Sequence, residues 1–200
     1  MGTLNFQHAK QYVLHRLELE LSPNLLYHGI THTRDEVVPA VERLASMEGV
    51  QGDSLLLLLT AAWFHDLGFV EQPQYHELIS ARIAVQVLPG FGYTSEHVEI
   101  VRWAILATIL PQDPQNFLEQ ILTDADLDIL GRDDFMLRNG ELRQELASFG
   151  GEYTDREWYS RQLKFLESHT YFTVSARTLR DPEKLKNIRK LRDKLEKSNS

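Results

Sequence analysis

The chain has 200 residues, 42% of them apolar and 25% charged, the balance of a folded globular protein rather than a disordered one. It contains no cysteine, which excludes disulfide scaffolds, thiolate metal sites and cysteine nucleophiles. Residues 1–130 carry six Lys/Arg against 17 Asp/Glu, whereas residues 131–200 carry 15 against 12, so most of the chain repels a nucleic-acid backbone and duplex binding is disfavoured.

The pattern is helical almost throughout. Apolar residues at three- and four-residue steps (Phe6, Val13, Leu14, Leu17, Leu21) predict a first helix over 3–19. A second runs from about 30 to 48 and stops at Gly49. Asp53-Ser54 offers an N-cap for 54–67, whose apolar residues on every side mark a central buried helix, with Gly68 where a C-terminal cap belongs. Further helices are predicted over 75–88, ended by Pro89-Gly90; over 95–110, capped by Thr94 or Ser95; over 115–130, ended by Gly131; and over 132–149, ended by Gly150-Gly151. Asp155 opens another to about 168, and Pro182 suits the first turn of a last helix over 182–197.

No segment alternates with period two, so the expected class is all-α, one domain over residues 1–200. The longest apolar run, Leu55 to Phe64 with Thr60 inside it, is short of the roughly 20 residues of a membrane span. The first residues, Met1 to Phe6, show no basic stretch leading into an apolar one. The chain therefore reads as a soluble, cytoplasmic protein without a membrane partner.

Seven of the eight histidines fall in the acidic part. Imidazoles and carboxylates together are the ligand set of a divalent cation, which reverses the local sign in favour of a phosphate. His65-Asp66 is the most informative pair, because it ends an otherwise apolar helix where an unpaired carboxylate is costly. Adjacent helical residues point about 100° apart; that geometry suits two ligands flanking one ion better than an ion pair, although a capping Asp beside a satisfied histidine is the plainer reading. His28 and His32 share a face if the helix has begun at Gly29. Asp124, Asp126 and Asp128 lie in an apolar run, and a calcium loop fails there because its sixth position is Ile129 and its twelfth Phe135. A solvated helix face is the plain reading for at least one of the three.

The ordered set His32, His65-Asp66 and Asp126 resembles the HD superfamily of metal-dependent phosphohydrolases. Tyr27-His28 through His32, Ala61 to Gly68, and Ala125-Asp126 with Leu130 are similar to its motifs, over residues 25–131; 132–200 then form a C-terminal helical extension. The resemblance implies a helical bundle in which His32, His65, Asp66 and Asp126 bind one divalent ion (Mn, Fe, Co, Ni, Zn or Mg), with Asp124 the alternative if the register is off by two. It implies a hydrolase for a phosphate mono- or diester of a nucleotide-like small molecule, with Asp66 in the catalytic set. His28 becomes either a general acid or a helix cap. His76 is a candidate for a second ion or for the substrate phosphate; the further histidine of two-metal members is missing, with Thr108 near its place and His97 read as a surface residue. The common lysine after the doublet's glycine is also missing, since Phe69 follows Gly68. Arg34, Arg132 and Arg138 therefore become candidate phosphate partners, each equally readable as an ion-pair residue. The Gly-Tyr-Pro element of the cyclic-dinucleotide branch is absent. Trp158-Tyr159 and Tyr171-Phe172 are core or a pocket for a ring, and the basic last helix is a solvated face. A non-catalytic metal- or nucleotide-binding sensor is the alternative function.

Overall fold

A computed structural model describes residues 4–198, all of whose regular elements are helical. The protein is all-α. The expected start of the first helix at residue 3 lies outside the described residues. The chain forms two compact units: one from residues through Pro23 with His28–Asp126, the other from Asn24–Tyr27 with Leu127 onward.

The first unit is organised around α3 (Gly52–Phe64), in which every residue from Leu57 to Phe64 is buried. Around it pack α1 (Phe6–Glu20), α2 (Val38–Met47), α5 (Ser95–Leu106) and α6 (Phe117–Asp126), while α4 (His76–Val87) lies against α5. Gly52–Val70 is apolar enough to cross a membrane by length and composition, but it is mostly buried inside the protein. Phe64 is fully enclosed; truncating it to Ala costs about 3–5 kcal/mol.

Three local features depart from the sequence pattern. The stretch before α2, His32–Val37, is π-helical, with the Val38 N–H donating to the Thr33 carbonyl five residues back. Helix α3 starts at Gly52 with Gln51 as its N-cap, not at an Asp53-Ser54 cap. Gly68 is not a left-handed C-cap but part of a 3-10 turn, Leu67–Val70. A Cβ there would stand 2.0 Å from the His76 carbonyl oxygen, and the Gly68 N–H donates to Ser80 Oγ at 2.7 Å. That glycine is demanded by close approach, not by backbone handedness.

In the second unit, α8 (Asp155–Ser168) packs on α9 (Val174–Lys197), and α7 (Phe135–Ser148) and α9 meet the 3-10 turn Asp128–Gly131. Helix α9 begins at Val174, capped by the Thr173 side chain, so Pro182 lies inside it and not in its first turn. An interior proline costs about 3 kcal/mol. Burial of Ser175 and Ala176 before it, and of Asn187, Ile188 and Leu191 after it, anchors both halves.

Candidate metal centre

Three helix ends of the first unit deliver the chemistry. The π-helical turn supplies His32, the exit of α3 supplies His65 and Asp66, and the last residue of α6 is Asp126. His32 Nε2 stands 3.6 Å from Asp66 Oδ2 and 3.4 Å from Asp126 Oδ1. His65 Nε2 stands 3.2 Å and 3.5 Å from the same two oxygens. Ligands bound 2.0–2.2 Å from a shared ion are separated by about 3.0–3.6 Å, and these four imidazole–carboxylate spacings fall in that range. The buried group His32, His65 and Asp66 is able to hold a metal ion.

His65 Nε2 and Asp66 Oδ2 are buried and lack a hydrogen-bond partner. Such atoms are expensive in a protein interior unless a cation completes them. The outward nitrogens are occupied: His65 Nδ1 lies 2.8 Å from the Ala62 carbonyl, and His32 Nδ1 lies 3.1 Å from Glu36 Oε2. Once the imidazoles are neutral, an acceptor on Nδ1 favours the tautomer that turns an Nε2 lone pair inward, as metal-binding histidines require.

Burial pushes both imidazoles toward the neutral form, but the carboxylates win. Asp126, Glu36 and Asp66 raise His32 to about 9, and Asp66 with Asp126 holds His65 well above its ordinary range. Burial likewise resists ionisation of the acids, yet His65 and His76 hold Asp66 well below the carboxylate range, and His32 with His65 holds Asp126 at about 2. Without a cation the cluster is a knot of mutually stabilised charges.

His76 reaches the opposite face of the same carboxylate, with Nε2 3.3 Å from Asp66 Oδ1. His28 precedes the helix on a bend, so the expected shared helical face with His32 does not form, yet the two rings still lie 5.8 Å apart. Asp126, not Asp124, meets the two histidines; two residues on a helix are separated by about 200°. Asp124 and Asp128 are both buried, against the solvated-face reading, and Arg180 grips Asp128 with two bonds of 2.7 Å.

The candidate arginines are engaged elsewhere. Arg34 is exposed and closes a bidentate pair on Asp35, and Arg132 does the same with Asp134. Buried Arg138 donates to the Leu26 and Tyr27 carbonyls and stacks over the Tyr27 ring. His97 completes a capping box with Thr94, and Thr108 bonds the Ile105 carbonyl. Trp158 is core, its indole N–H donating to Asn139 Oδ1 at 2.7 Å; Tyr171 is core as well. On the last helix Lys184 is buried against His169, which departs from a fully solvated face.

Two site residues escaped the sequence reading. Glu36 stands four residues from His32, a spacing that identifies a helical pair. Gln112 places Nε2 3.4 Å from Asp126 Oδ2, while its Oε1 is buried without a partner; it lies in the loop after α5, where no periodicity marks it.

No family model and no solved structure gives a significant match. Over 82 residues, 41% of its length, the chain is 33% identical to a bifunctional uridylyltransferase/uridylyl-removing enzyme of Cereibacter sphaeroides. The chain spans 8% of that protein's length.

Proposed function

We propose that the protein is a metal-dependent phosphohydrolase of the HD type, acting in the cytoplasm on a phosphate mono- or diester of a nucleotide-like small molecule. The observation that carries this reading is the convergence of His32 Nε2 and Asp126 Oδ1 on two buried atoms without a hydrogen bond, His65 Nε2 and Asp66 Oδ2. The partial similarity to a uridylyl-removing enzyme supports a nucleotide-linked ester as the substrate class.

His32, His65, Asp66 and Asp126 would hold the ion, and two imidazoles with two carboxylates suit Mn²⁺, Fe²⁺, Co²⁺, Ni²⁺, Zn²⁺ or Mg²⁺. Bound there, a divalent ion supplies Lewis acidity toward a phosphoryl oxygen and makes a water nucleophilic near neutral pH. Glu36 and the Ala62 carbonyl keep His32 and His65 in the ligating tautomer. Gln112 steadies Asp126. His28 is the general acid, passing a ring N–H proton to the leaving oxygen. His76 orients Asp66 through Oδ1, and the same imidazole is the ligand for a second ion or the donor to a substrate oxygen.

The test is a screen of the purified protein against nucleoside mono-, di- and triphosphates and cyclic nucleotides with Mn²⁺, Co²⁺, Ni²⁺ and Mg²⁺. Turnover that falls roughly 100-fold in His28→Ala, with metal content kept, is the expected result. The second reading is a non-catalytic sensor, favoured by the engagement of Arg34, Arg132 and Arg138 with other groups. Saturable nucleotide binding without turnover under any metal establishes that reading instead.

A further inference from the structure

Phe69 is buried, 7% exposed, and sits in the 3-10 turn directly after the His65-Asp66 exit of α3. Its ring packs nearly parallel to two imidazoles: His76 at 4.0 Å between centroids and 27°, His28 at 4.5 Å and 21°. Those imidazoles are 6.0 Å apart, and each borders the cluster, His28 near His32 and His76 on Asp66. The backbone that places the phenyl is itself pinned: Gly68 lies so close to His76 that no Cβ fits, and its N–H is bonded to Ser80 of α4. His28 stands on a bend, and His76 Nδ1 also lies 3.1 Å from the Pro73 carbonyl, so the phenyl adds to what holds each ring. Flat stacking of aromatic rings has a preferred geometry that an aliphatic side chain of equal volume does not reproduce.

We infer that Phe69 is a positioning residue: one phenyl ring, stacked between His28 and His76, fixes the planes of both imidazoles at the edge of the metal cluster together with their polar partners. It acts through the two imidazoles. The kinetic consequence rests on the phosphohydrolase reading; the structural one does not.

The experiment compares Phe69→Leu and Phe69→Tyr with the full-length wild-type chain. Histidine-labelled protein is followed by NMR, with His28→Gln and His76→Gln identifying the two ring Cε1–H resonances, and ester turnover is measured in parallel. Phe69→Leu is expected to displace both resonances by more than the lost phenyl ring current accounts for, and to lower kcat roughly tenfold, with KM and bound metal held near wild type. Phe69→Tyr is expected to restore both resonances and most of kcat. Resonances in folded Phe69→Leu that move no further than the lost ring current accounts for, or equal kcat losses in the two variants, overturn the positioning role. Resonances that respond as expected in a wild-type chain that hydrolyses no ester support the positioning and contradict the hydrolase reading alone.

Discussion

Two clusters of buried charge, one in each unit, are built in opposite ways. In the second, the buried carboxylates have dedicated donors: Asp128 takes both arms of Arg180, and Glu145 accepts the Tyr27 backbone N–H at 2.8 Å. A Cβ on Gly131 would stand 2.4 Å from the Arg180 side chain, so the turn is pressed against the helix that carries that arginine. In the first unit, four inward atoms from two imidazoles and two carboxylates crowd within 3.6 Å across each imidazole–carboxylate pair, and two of them lack any hydrogen bond. At Asp128 and Glu145 the pairing is complete and serves the scaffold; at the cluster the geometry leaves a place for a cation.

That contrast is sharpened most strongly by removing the carboxylate common to three histidines. Asp66→Ala is expected to abolish bound metal and lower hydrolysis by 10³-fold or more; stoichiometric metal by mass spectrometry in that variant breaks the contrast. Asp128→Ala is the mirror experiment. It leaves Arg180 without its counter-charge, which costs about 3 kcal/mol on denaturant unfolding, and metal content is expected to stay at the wild-type level. Glu36→Gln keeps a partner for His32 Nδ1 but weakens the acceptor, so metal affinity is expected to fall about tenfold by competition with a chelator; an unchanged affinity removes Glu36 from the site.

Acid stability reads the second unit. Burial and the neighbouring Lys184 ammonium lower His169 to about 4 from the ordinary 6.5. Between those two pH values the unfolded chain binds a proton that the folded one refuses, so stability falls as pH drops from 6.5 toward 4. His169→Gln is expected to flatten that limb of the unfolding curve, and an unaltered slope removes His169 as its source. The smallest effect is expected from Arg34→Ala: kcat/KM stays within about twofold, because an exposed pair with Asp35 contributes little. A large rise in KM brings Arg34 back to the substrate.

Most of the helical fold is readable in the sequence because its apolar stripes are long and its stops are marked by Gly and Pro. The misreadings have local causes. A π-helical turn leaves the same periodicity as an α-helical one over six residues, so His32–Val37 is invisible until backbone bonds are seen. Pro182 signals a helix start by propensity, yet packing on both sides carries α9 through it. At the site, His65-Asp66 stands out as a polar pair closing an apolar helix. The gathering of His32 and Asp126 around it depends on three helix ends meeting, which spacing alone does not encode. For the arginines the sequence leaves both readings open, and it exposes their partners unevenly: Asp35 and Asp134 lie one and two residues away, whereas the carbonyls that bind Arg138 are more than a hundred residues distant.

The most direct test is anomalous diffraction at the manganese edge from crystals of the full chain soaked in Mn²⁺. A single strong peak within about 2.3 Å of His32 Nε2, His65 Nε2, Asp66 Oδ2 and Asp126 Oδ1 is the expected result. No peak there, with these four side chains in their present positions, contradicts the account.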